Sequence, residues 1–222
     1  MTENTKSVPS TWDLILIPAV LTLGLSILRL VGELQHWSPF LFNPQPGGGA
    51  ALMGIVWLVP IFGIYFALKL RNKGETPSLG RIFAYLGLGV LIIVGGSFLT
   101  SLFFHMGSPG FIVTFQFLAA AAGLVQLCGW SKLARILAAY GLAARIPVIV
   151  IMFFAIKGSW GTHYDGPPPG LPEMGWFARF VVIGLLPQIL FWVSFTVIVG
   201  MLAGAITLAI AGKRTPALQP AP

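Results

Sequence analysis

Three histidines and one aspartate are the residues in this chain best suited to chemistry. His36 follows the first apolar run, His105 ends the third, and His163 lies in the longest polar connector with Asp165 two residues on. Neutral imidazole and carboxylate are good ligands for first-row metals, so His36, His105, His163 and Asp165 would bind Fe(II) or Zn(II) if they converged. The spacing gives this little support, because no H-x-x-H, H-E-x-x-H or C-x-x-C pattern is present. Covalent haem requires C-x-x-C-H, which is also absent. A b-type haem needs imidazoles facing each other from helix interiors, whereas His36 and His105 fall at helix ends. Ordinary polar roles at a membrane interface are the competing account. No cofactor is firmly implied; metal and haem are the options raised.

Arg145 is the second candidate. It lies ~18 Å along its helix from Leu133 at 1.5 Å per residue. A charge deep in a bilayer costs at least ~2.5–3.5 kcal/mol, so such a residue normally faces the bundle interior, a partner or water. Gln116, Gln126, Gln188 and Asp13 on other helices are its possible partners, and Pro147 frees a carbonyl nearby. One reading is an anion-recognising cavity around Arg145, Gln116, Gln126 and Gln188. Another starts the helix later, so that Arg145 snorkels to the headgroups. A third is a purely structural buried pair. Arg29 and Glu33, four apart on one face, form an i,i+4 pair of structural character.

Phosphate-binding and nucleophile motifs are missing: there is no G-x-x-x-x-G-K-[ST], G-x-S-x-G or G-x-G-x-x-G at a strand–helix junction. Gly47–Ala50 opens the second apolar run and could offer backbone N–H groups to an anion, though a hinge after Phe42-Asn-Pro-Gln-Pro is the simpler account.

These residues must be positioned by helices in lipid. Of 222 residues, 56% are hydrophobic and 9% charged, with mean hydropathy +0.89. A soluble domain carries about 25% charged residues. Disorder is excluded by the same composition, and a disulfide scaffold by the single cysteine, Cys128. Spanning helices need ~20 apolar residues. Six runs qualify, at 14–34, 50–70, 82–104, 111–129, 133–156 and 180–210. Alternating β-barrel segments are not seen. The expected fold is therefore an all-α, six-span membrane domain covering residues 1–222, its first span an uncleaved segment.

Lys6, Lys69, Arg71, Lys73, Arg81, Lys132, Arg135, Lys213 and Arg214 fall on one side, against Lys157 and Arg179 on the other. The positive-inside rule then puts both termini in the cytoplasm. This pattern also explains the net charge of +7 without a nucleic-acid partner. A helix from Trp176 to Ala211 would run about 54 Å, so either one tilted helix projects beyond the bilayer or a short interfacial segment around residues 176–182 precedes the span, and Pro187 could kink it. The prolines at 167–169 and 172 make the connector at 157–179 stiff, suited to capping a cavity, docking a partner or serving as a plain link. Gly200 with Gly204, Ala119 with Gly123, and Ala138, Ala139, Ala143 and Ala144 allow close helix approach within one subunit or between copies. Phe66-Ala-Leu-Lys69 and Phe154-Ala-Ile-Lys157 hint at an inverted repeat of three plus three spans.

With no catalytic constellation, the expectation is a non-enzymatic protein of a bacterial inner membrane, an accessory or structural subunit of a larger assembly. The alternatives are a small transporter or channel built around Arg145, and a metal or haem redox protein using His36, His105 and His163. The expected partners are the lipid bilayer and either another membrane protein or a second copy of the chain.

Overall fold

The computed structural model describes residues 11–46, 51, 53–168 and 170–212. The sequence features at Lys6, Gly47–Ala50, Pro169, Lys213 and Arg214 lie outside them. The described chain is all-helical, with six helices long and apolar enough to cross a membrane. They are α1 (Thr11–Leu34), α2 (Leu58–Asn72, entered through a 3₁₀ turn at Ile55–Trp57), α3 (Leu79–Ser101), α4 (Pro109–Leu124, continued by a turn at Gln126–Gly129), α5 (Ser131–Gly158) and α6 (Trp176–Ala211).

Helix starts follow local chemistry more closely than hydropathy does. The Ser78 and Ser108 side chains accept hydrogen bonds from the backbone N–H groups of Arg81 and Phe111, capping α3 and α4. Pro109 occupies the first turn of α4, where its missing N–H costs nothing. The second span begins later than the apolar run. Gly54 is extended, and helical winding starts only at Ile55, because apolarity marks what lipid tolerates and not where the backbone coils. The third span stops at Ser101, and residues 102–104 turn away with Phe103 and Phe104 both donating to the Thr100 carbonyl.

α6 is one continuous helix from Trp176, with no separate interfacial segment around residues 176–182 and no break at Pro187. Six-residue stretches on either side of Leu186 (Phe180–Leu185 and Pro187–Trp192) wind with the wider π pitch. A proline inside a helix lacks a donor and clashes with the carbonyl four residues back. Wider winding absorbs both defects, and π segments of this kind gather at functional sites.

α5 is the central helix, with twelve buried residues along its length. It packs on α1, α2 and α6. α2 and α6 form the most extensive helix pair, brought together by glycines. A Cβ on Gly63 would sit 2.5 Å from the Gly200 carbonyl oxygen, and one on Gly200 would meet Leu137 of α5 at 2.5 Å. A Cβ on Gly204 would meet Leu133, and one on Gly123 would meet Ser194. The small residues at 123, 200 and 204 are thus consumed by packing within one chain. The repeat hinted at by the two Phe-Ala motifs is not borne out by the packing. An inverted repeat would match the α2–α6 pair with α5–α3, and those two helices make no comparable contact.

At the end carrying loops 2–3 and 4–5, Lys132 pairs with Glu75, and Arg71 donates to the carbonyls of Ala211 and Gly212 at the end of α6. The adjoining half of the bundle is a solid core. Tyr140 lies edge-on to Phe62 and Phe66, with centroids 5.2 and 5.8 Å apart, and its hydroxyl is 2.8 Å from that of Thr22.

Candidate functional site

The other half of the bundle holds a second packed cluster around Val148, Met152, Ile156, Tyr164 and Phe180, with a cavity beside it. A cavity of about 510 Å³ runs from beneath the loops joining α1–α2 and α5–α6 down to Arg145. Its walls come from α1 (Ser26, Arg29), α5 (Val148, Met152) and α6 (Val182, Ile183, Gln188, Trp192), with residues 54–57 closing one side.

Arg145 stands at the midpoint of α5, roughly 20 Å from either helix end at 1.5 Å per residue. Because α5 begins at Ser131 and Arg145 is only 5% exposed, the snorkelling account fails. Its Nη1 donates to Gln188 Oε1 at 3.3 Å, a long contact. Its guanidinium lies 4.6 Å from the centre of the Trp192 ring, within cation–π range. Its Nε is buried with no hydrogen-bond partner, and among the described residues no carboxylate pairs with it. A buried cation without a counter-charge is costly, so an arrangement that retains one is a functional-site signal.

Of the glutamines, only Gln188 reaches Arg145. Gln126 donates to the carbonyls of Tyr85 and Ala122 and braces α3 against α4. Gln116 is buried but does not line the cavity.

The mouth is organised by Glu33. Its carboxylate accepts from Arg29 Nε at 2.9 Å and from the His163 backbone N–H at 2.9 Å. His163 Nδ1 sits 2.6 Å from Glu33 Oε1 and 2.8 Å from Oε2. The i,i+4 pair foreseen in the sequence is therefore real, but its larger role is to hold the α5–α6 loop. Asp165 folds that loop into a turn, accepting from the Gly161 N–H and from both the N–H and hydroxyl of Thr162. Tyr164 is buried and donates to the Ser26 carbonyl. Gly166, Pro168 and Leu171 of the same connector also line the cavity.

The metal reading finds no geometry to support it. Among the described residues no group of three His, Cys, Asp or Glu side chains gathers as a metal site. His36 and His105 are exposed at their helix ends, His163 is committed to Glu33, and Asp165 has both oxygens occupied by its own turn. The same facts remove the facing imidazoles a b-type haem would need.

Searches of family models, of curated proteins and of solved structures find no match for the chain. The site must therefore be read from its own chemistry.

Burial holds the His163 imidazole below its ordinary value, outweighing the opposing pull of the Glu33 carboxylate. Burial also pushes the Tyr164 phenol up. His163 is accordingly neutral near pH 7, with Nδ1–H donating to Glu33. Protons are then taken up more readily by the unfolded chain, so stability conferred through His163 is full above pH 6.5 and declines as pH falls below it. Thermal unfolding in detergent is expected to show the wild-type protein losing stability between pH 7.5 and 5. His163→Asn keeps a donor but cannot titrate, and should flatten that slope.

Proposed function

We propose that this protein is a small anion-binding transport protein, with its substrate site at Arg145. The observation that carries this reading is the uncompensated guanidinium, buried at mid-helix and lining a cavity that opens toward one end of the bundle. No acidic side chain lines the cavity among the described residues. Its field favours anions, because a cation in a low-dielectric cleft raises the local concentration of opposite charge. The Tyr140–Phe62–Phe66 cluster closes the path on the far side, as expected of a carrier accessible from one face at a time. The accessory-subunit reading rests only on missing motifs, whereas the cavity gives transport a positive feature.

The charge pattern supports placing loops 2–3 and 4–5 in the cytoplasm and the cavity mouth outside a bacterial-type inner membrane. Thiol chemistry tests the reading. Val148 lines the cavity one turn above Arg145, and Cys128 is exposed and must first be removed as Cys128→Ser. With Val148→Cys in that background, an anionic methanethiosulfonate reagent is expected to react faster than a cationic one of similar size.

A further inference from the structure

The cavity's own groups narrow the class of anion; this step rests on the anion-binding reading and goes beyond it. Three features bear on the choice. The first is charge count. Arg29 is matched by Glu33, which leaves Arg145 as the single surplus cation among the described lining residues. A monoanion would balance it, whereas a dianion such as a phosphate monoester would bury an extra charge without a partner.

The second is donor geometry. Nη1 is turned to Gln188 and one face of the guanidinium is covered by Trp192, while Nε has no partner. The rigid fork of arginine matches the two oxygens of a carboxylate, with two parallel N–H···O bonds. The third is the wall. Ile55, Val148, Met152, Val182 and Ile183 present hydrocarbon or thioether between Arg145 and the mouth, a surface that suits an apolar body and would gain nothing from a small hydrated ion.

We propose that the cavity binds a monocarboxylate with an apolar body, its carboxylate seated on Arg145 and its hydrocarbon against α5 and α6. Such an acid can arrive from water or from the lipid leaflet. Calorimetric titration of the full chain in non-ionic detergent, with octanoate, octanol and inorganic phosphate as probes, tests the class. A second arm supplies palmitate to the protein in nanodiscs.

Octanoate is expected to saturate one site, with octanol at least about tenfold weaker and phosphate unable to displace it. Arg145→Gln should bring octanoate down to the octanol level. The octanoate–octanol comparison needs no variant, so it stands even if the glutamine protein folds poorly. Octanoate binding that palmitate does not outcompete identifies the aqueous source. Displacement by lower concentrations of palmitate identifies the lipid source, and both results support the class. Octanol equal to octanoate, or phosphate displacing octanoate through Arg145, overturns it. In the phosphate case anion binding at Arg145 survives; if no anion binds at all, both readings fall.

Discussion

Arg145→Gln is expected to make the protein more stable and nearly unable to bind anions. The two effects have opposite signs, and that separates a ligand site from a structural one. In the empty protein the guanidinium bears the cost of a charge in the membrane, ~2.5–3.5 kcal/mol or more. Against this stand one long contact to Gln188 and a ring contact to Trp192, the latter giving ~0.5–2 kcal/mol. Glutamine keeps a polar group for Gln188 and removes the charge. A gain of about 1 kcal/mol follows, seen as a rise of roughly 2–4 °C in thermal unfolding for a chain of this size. Hydrogen bonds to a charged group are worth ~1.5–3 kcal/mol, so anion affinity should fall by roughly ten- to a hundredfold or more. If Arg145 were a structural strut, stability would fall with the substitution.

Gly63→Ala should be the most damaging small change in the bundle. The new methyl would lie 2.5 Å from the Gly200 carbonyl oxygen and 2.7 Å from its Cα, and backbone atoms cannot rotate away. α6 cannot retreat either, because Leu137 of α5 backs Gly200 closely on its other side. Overpacking of this kind costs about 1–3 kcal/mol and occasionally more. Gly87→Ala in α3 is the matched control, since nothing lies within 4 Å of a Cβ there. A melting temperature for Gly63→Ala at least about 4 °C below that of Gly87→Ala is expected. Equal values would mean that the α2–α6 contact is looser than described.

The sequence was legible wherever the signal was local or summed over many residues. Six spans follow from hydropathy, because a window of ~20 residues averages out single errors. Gly200 and Gly204 were readable as packing positions, though not which helix they meet; their partners Gly63 and Ala67 lie more than 130 residues earlier. Arg145 and Gln188 could be named because charged or amide groups in an apolar run are conspicuous. Trp192 could not, because one tryptophan among seven says nothing until the fold sets it against a guanidinium. The sequence marks Glu33 only as half of a helical pair, whereas its hold on His163 depends on a contact across 130 residues. The histidine–aspartate set misled for the complementary reason. Lying near the ends of apolar runs does not bring side chains together, and Asp165 is drawn into its own loop by three nearby donors. The late start of α2 is hidden in the sequence because Ala51 and Met53 are apolar without being helical.

The proposed function requires that the buried mid-helix cation Arg145 attract anions into the cavity. The most direct measurement is the ratio of anionic to cationic methanethiosulfonate reaction rates at Val148→Cys in the Cys128→Ser background, with and without Arg145→Gln. A ratio above about ten is expected with Arg145 present, falling toward one with glutamine, as removal of a single charge in a low-dielectric cleft requires. No reaction with either reagent, or a ratio that the glutamine leaves unchanged, would contradict the proposed function.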